Sequence, residues 1–179
     1  MPRFPYPMSL AGFGLRLREW TDDDVPAMVG LFDDAAVARW TPLASPFDET
    51  AARAYLARAR ERRATGSGIQ LAVTTDGHTP LGEVLLFATG PYGRATGGPD
   101  AELGYAIGAA HRGQGLATRA VRLMTGYAYR EPAARRVLLR IDVGNDASEH
   151  VAHAAGFRLT GDPPPGGEPD LRTWVHEPG

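Results

Sequence analysis

Arg112-Gly113-Gln114-Gly115-Leu116-Ala117 joins an alternating strand pattern at 102–107 to an amphipathic helix pattern. In the strand, Leu103, Tyr105 and Ile107 fall on one side, and Glu102, Gly104 and Ala106 on the other. In the helix, Leu116, Ala120, Met124 and Ala128 recur every four residues, with Ala117 and Val121 beside them, giving one apolar face. The first turn of a helix leaves N–H groups without partners and carries the positive end of the macrodipole. A glycine-rich turn opening a helix therefore reads as an anion site. Gly113 and Gly115 lack a Cβ, so the backbone can come close to a phosphate there.

Three phosphate-binding designs use such a turn. A Walker-type P-loop needs a lysine after its glycines, and all 19 basic residues of this chain are arginine. A dinucleotide fingerprint needs a small residue where Thr118 stands, and further parallel βα units beyond the about sixty residues that remain. The third pattern, (Gln/Arg)-x-x-Gly-x-(Gly/Ala), is satisfied by Arg112, Gly115 and Ala117. It is the pyrophosphate loop of the GNAT superfamily of acyl-CoA N-acyltransferases, which this chain resembles.

Two more segments carry the resemblance. A strand pattern at 137–143 is followed by Asn145-Asp146-Ala147-Ser148, a short helix, and Gly156-Phe157 opening another strand. This order is similar to the Asn-x-x-Ser/Ala and Gly-Phe segment that follows the pyrophosphate loop in GNAT enzymes. Asn145 or Asp146 also reads as a helix N-cap, and Gly156 as a helix-ending glycine. Near the start, Leu15-Arg16-Leu17-Arg18-Glu19-Trp20 alternates as a strand, and Thr21-Asp22-Asp23-Asp24 supplies a cap and an acidic first turn. With Glu102-Leu103-Gly104-Tyr105, these resemble the branch of ribosomal-protein N-terminal alanine acetyltransferases, the RimJ/RimL-like enzymes.

Bulk properties fit a small enzyme. A length of 179 residues with 43% hydrophobic content supports one domain with a sizeable core. A formal net charge of −2 gives no electrostatic case for nucleic acid. The absence of cysteine removes disulfides, thiolate metal sites and a cysteine nucleophile. His78, His111, His150, His153 and His176 show no zinc-ligand spacing, so surface or structural roles are expected and no metal. No apolar run approaches the ~20 residues of a membrane span, and the Pro- and Phe-rich N-terminus is unlike a signal peptide, so a cytoplasmic location is expected.

Residues 1–12 read as a flexible arm, and 13–177 as a single domain. Helices are expected at about 22–32 and 48–64, and strands at about 68–75 and 80–88 around an Asp76-Gly77 turn. Residues 89–100 compose a mobile loop; strands near 157–161 and 170–176 flank a Pro/Gly-rich loop. The expected class is α+β, a mixed and mainly antiparallel sheet of about seven strands flanked by helices, which the resemblance specifies as the GNAT arrangement.

The resemblance implies a site. The strands at 102–107 and 137–143 splay apart to admit the pantetheine arm of acetyl-CoA, the co-substrate. Ile107 and Gly108 match positions whose main chain pairs with pantetheine. Arg112, Gly113, Gln114, Gly115, Leu116 and Ala117 hold the pyrophosphate, and Asn145 meets the co-substrate from the other wall. Direct transfer to a primary amine needs a base and a donor for the departing thiolate. Buried carboxyls have pKa values raised toward the working pH, which makes Glu102 and Glu83 the candidate bases; a salt bridge is the structural alternative for Glu102, and an unpaired charge would be costly at Glu83, among Leu81, Leu85 and Phe87. Many GNAT enzymes place a tyrosine seven residues after the motif asparagine, where this chain has Ala152. Ser148 matches the serine that the RimJ/RimL-like branch offers as proton donor, and is equally a capping residue. Trp20, Trp40, Tyr92 and Trp174 are candidate walls for the acceptor, a protein N-terminus or small-molecule amine, and a homodimer is compatible. The competing reading is an acyl-CoA-binding sensor or scaffold that has lost turnover.

Overall fold

The sheet is built from strands whose apolar residues alternate between two buried faces. The computed structural model describes residues 4–88, 100–131, 133–161 and 170–179. Its strands are β1 (Ser9–Gly12), β2 (Leu15–Glu19), β3 (Gly68–Thr74), β4 (Gly82–Phe87), β5 (Ala101–Ile107), β6 (Val137–Asp142), β7 (Arg158–Leu159) and β8 (Leu171–His176). They form one eight-stranded sheet in the order β1-β2-β3-β4-β5-β6-β8-β7. β5 and β6 pair in parallel and the other neighbours are antiparallel. Helices α1 (Val25–Phe32), α2 (Ala35–Trp40), α3 (Glu49–Thr65), α4 (Leu116–Arg130) and α5 (Asp146–Ala154) flank it. The class is α+β, as expected.

The eighth strand lies inside the segment expected to be a loose arm. β1 pairs with β2 from Ser9↔Arg18 to Gly12↔Leu15, because Met8 is buried in the core and Leu10 packs against it. One buried and one partly buried apolar anchor outweigh the arm's lack of strand periodicity. The tight turn places Phe13 and Gly14 at φ 52° and 74°. The last expected strands shrink as well, β7 to two residues. Residues 89–99 and 162–169, marked by composition as loops, lie outside the described residues, as does Tyr92.

Each face of the sheet carries its own core. On one, Leu71, Val73, Val84, Leu86, Leu103 and Ile107 meet Leu116, Ala120, Val121, Met124 and Ala128 of α4, so the four-residue apolar stripe buries as its spacing requires. On the other, Trp20, Val25, Met28, Phe32, Phe47, Tyr55 and Ala106 pack together under α1 and α3. Phe47 stands edge-on to Phe32 and Tyr55, with ring centroids 5.9 and 5.8 Å apart. α2 forms in the stretch between the two expected helices, since Asp34 Oδ1 accepts from Ala36 N at 3.1 Å and Val37 N at 3.0 Å, and Val37 is buried.

Candidate active site

The parallel pairing of β5 and β6 lasts three rungs, Ala101↔Val137 to Leu103↔Leu139, while β6 stays paired with β8 out to Asp142↔Leu171. Beyond Leu103, β5 therefore parts from β6, and a cavity of about 540 Å³ opens there. Tyr105, Ala106 and Ile107 of β5 form one wall, and Ala36, Val37, Trp40 and Thr41 of α2 another. Asn145, Ala147, Ser148, His150 and Val151 come from α5 and its cap, while His111 to Gly113 and Gly115 to Thr118 bring the glycine turn to the same space.

That turn is open by construction. Gly113 and Gly115 have φ of 76° and 71°, a region in which side chains with a Cβ are disfavoured, and a Cβ on either would meet nothing within 4 Å. The glycines are thus required by backbone conformation and not by crowding. α4 begins at Gly115 with no side-chain cap, so its first N–H groups remain for an external acceptor. Leu116 anchors the turn at 2% exposure, Ala117 packs partly against the core, and Gln114 is exposed and outside the lining. Arg112 braces the loop: its Nε donates to the Ile107 carbonyl at 3.0 Å and Nη2 to Asp34 at 2.8 Å. That ion pair ties the start of α2 to the turn. Arg119 adds donations to the carbonyls of Phe13 at 3.1 Å and of Gln114 and Gly115 at 3.3 Å.

At the strand end, two main-chain groups expected to meet pantetheine are engaged within the chain. The Gly108 N–H donates to the Leu81 carbonyl at 3.0 Å, and the Ile107 carbonyl holds Arg112. A Cβ on Gly108 would press on the Leu31 side chain, which would have to move aside. On the opposite wall, Asn145 is the N-cap of α5, its Oδ1 accepting from Ser148 N at 3.2 Å. Ser148 is half-buried in the first turn.

The two carboxylates chosen from the sequence lie elsewhere. Glu83 is 1% exposed, accepting from Tyr55 Oη at 2.5 Å and Gln70 Nε2 at 2.7 Å; burial pushes its carboxyl up to about 7 against those two hydrogen bonds. Glu102 is 5% exposed, 3.6 Å from Arg140 Nε, and burial raises it to about 7 in spite of that guanidinium. Neither lines the cavity, which has no carboxylate among the described residues of its lining. Their faces point to the α1/α3 side of the sheet, where both are buried. Trp20 and Trp174 are likewise buried away from the cavity, whereas Trp40 lines it.

The lining also contains residues that sequence reasoning passed over. His111 and His150 had been given surface or structural roles, and both line the cavity. Tyr105 alternates in phase with the core residues Leu103 and Ile107, so nothing local distinguishes it. Among the described residues, no group of three His, Asp or Glu converges as metal ligands, and no helix is long and apolar enough to cross a membrane.

Solved structures share the whole fold. RimJ of Mycobacterium smegmatis, in complex with CoA-disulfide, superposes with a TM-score of 0.79 at 17% identity, over 96% of this chain and 88% of that one. RimL, a ribosomal alpha-N-protein acetyltransferase in complex with coenzyme A, gives 0.76 at 18% identity over 95% and 98%. A ribosomal-protein alanine acetyltransferase from Vibrio fischeri gives 0.74 at 18% identity over 95% and 96%. No curated protein matches the sequence. The acetyltransferase (GNAT) domain family matches residues 14–158, most of the chain. With the glycine turn, the parted strands and the cavity at the end of β5, that match places the chain in the GNAT family of acetyl-CoA-dependent N-acetyltransferases.

Proposed function

We propose that this chain transfers acetyl from acetyl-CoA to a primary amine by direct attack within a ternary complex, the preferred acceptor being a protein or peptide α-amine. The observation that carries the reading is the uncapped start of α4 opening into the cavity that runs from the end of β5 to Ser148. The N–H groups of residues 113–117 receive the pyrophosphate. A helix dipole alone contributes only about 0.3–1 kcal/mol at a surface, so the affinity rests on the several donors together, with Arg119 one turn away. Arg112 acts by holding the loop, given its bonds to Asp34 and Ile107.

The pantetheine arm follows the open edge of β5, which brings the thioester toward Ser148. The amine nitrogen attacks the carbonyl carbon, the C–N bond forms, and the C–S bond breaks with its electrons on sulfur. Ser148 supplies the proton to the thiolate. Glu102 and Glu83 have pKa values suited to a base, but their burial and pairing allow them to reach the amine only through water. An α-amine tolerates this arrangement: with an unperturbed pKa of about 7.7–8.0 against about 10.4 for lysine, far more of it is already neutral at pH 7. RimL is described as an alpha-N-protein acetyltransferase and the Vibrio fischeri enzyme as acting on a ribosomal-protein alanine, which supports the same acceptor class here.

Release of free CoA thiol is the test, using paired peptides that differ only in whether the α-amine or a lysine amine is blocked. Turnover of the free α-amine is expected to dominate. Preferred turnover of the lysine amine would overturn the acceptor, and no release with any amine would leave an acyl-CoA-binding domain.

A further inference from the structure

Resting on the acetyl-CoA reading above, the geometry points to Tyr105 as a second group that binds the departing CoA thiolate, its hydroxyl donating a hydrogen bond to sulfur beside Ser148. The phenol oxygen is shielded from solvent and makes no hydrogen bond of good geometry among the described residues, although the Ser148 side chain lies near enough to interact with it. Trp20, Thr125, Tyr127 and Trp174 also bury a polar atom without a partner there, but none of them lines the cavity. Tyr105 does, on the edge of β5 that β6 has left, opposite Asn145 and Ser148. A buried donor without a partner is costly unless a ligand supplies one, and the thioester sulfur is the acceptor the cavity would bring.

The hydroxyl is suited to donating and not to giving up its proton. Burial pushes Tyr105 up to about 12, with the nearby Ser148 side chain offsetting part of the rise. When the C–N bond forms and the C–S bond breaks, the nitrogen loses a proton to water. Sulfur takes one from Ser148 Oγ, which water restores. Tyr105 stays protonated throughout and lowers the energy of the thiolate by its hydrogen bond.

Tyr105→Phe removes the oxygen and keeps the ring. The decisive readout is the titration of the CoA thiol bound to the protein, followed by thiolate ultraviolet absorbance, which requires no acceptor and no turnover. His111, Arg112 and His150 also line the cavity and bear on that titration, but they are common to both proteins, so the difference between them isolates the phenol. The bound thiol is expected to titrate about one pH unit higher in the variant, a tenfold loss of thiolate at a given pH. kcat is expected to fall by a similar factor, with KM for acetyl-CoA little changed. The thermal midpoint should hold or rise, because the hydroxyl removed is one the fold leaves unpaired. An unchanged thiol titration in a variant that binds CoA normally overturns the inference alone, as does a lowered thermal midpoint with unchanged titration, which would mark a structural hydroxyl. Failure of the wild-type chain to bind CoA overturns the acetyl-CoA reading and this inference with it.

Discussion

Helices α4 and α5 present their N-termini to the same cavity but begin differently. α5 is capped by Asn145, whose side chain accepts the Ser148 N–H, and α2 and α3 are closed in the same way by Asp34 and Asp48. α4 starts at Gly115 in a left-handed conformation with no side-chain cap. With glycine at the N-cap, that start costs roughly a few tenths of a kcal/mol relative to a side-chain-capped one. That deficit falls at the turn whose two glycines leave open space over the backbone, which is the arrangement an anion needs. Of the two helix starts that face the cavity, the one closed by a side chain offers that side chain, and the one left open offers the backbone.

The largest effect should come from closing the open end. Gly115→Glu places a carboxylate over the free N–H groups and should abolish CoA binding in calorimetry while the protein stays folded. Gly115→Ala imposes the same left-handed strain, of order 1 kcal/mol, without the charge, and should weaken binding far less. Equal losses in the two variants would mean that loop conformation, and not anion binding, was disturbed.

At the closed end the effect should be on turnover. Ser148→Ala is expected to lower kcat about 10²-fold with little change in acetyl-CoA affinity, as single-turnover and binding measurements would separate. Full activity would pass the proton to water.

Away from both helices, the carboxylates should govern stability. Glu83 is raised from 4.5 to about 7 in the folded protein, so the native state holds its proton over a range where the unfolded chain has lost it. Its contribution is present below about pH 4.5 and is lost as pH rises through about 7, a fall on the order of 3 kcal/mol. Glu102 carries the same sign. Chemical denaturation across this window should show stability declining with pH, and Glu83→Gln should flatten the decline. A wild-type stability that rose with pH over the window would contradict the burial argument.

The smallest effect is expected from Asn145→Ala, which opens α5 as α4 is open. Loss of the cap should lower stability by about 1 kcal/mol and leave CoA affinity within a few-fold. A large loss of affinity would instead give Asn145 a direct contact.

Much of this contrast was legible in the sequence, because it is local. Glycines followed by an apolar stripe at Leu116, Ala120, Met124 and Ala128 announce an open turn on a packed helix, and Asn145 three residues before Ser148 announces a cap. What stayed hidden depends on distant partners. Glu83 meets Tyr55 across 28 positions of chain, and Glu102 meets Arg140 on the neighbouring strand, so residue type and strand position could suggest a base without revealing that each was paired and away from the cavity. β1 and α2 were missed for similar reasons. One depends on Met8 reaching the core, and the other on Asp34, which caps the helix and also holds Arg112. Tyr105 had no local mark at all, since a tyrosine between Leu103 and Ile107 reads as core.

The claim that the open start of α4 is a pyrophosphate site is tested most directly by comparing CoA with pantetheine, which has the same arm and thiol but no phosphate, by calorimetry on the wild-type chain. The account predicts that CoA binds at least 100-fold more tightly than pantetheine and that Gly115→Glu brings the two close together. Pantetheine bound as tightly as CoA by the wild-type chain would contradict it.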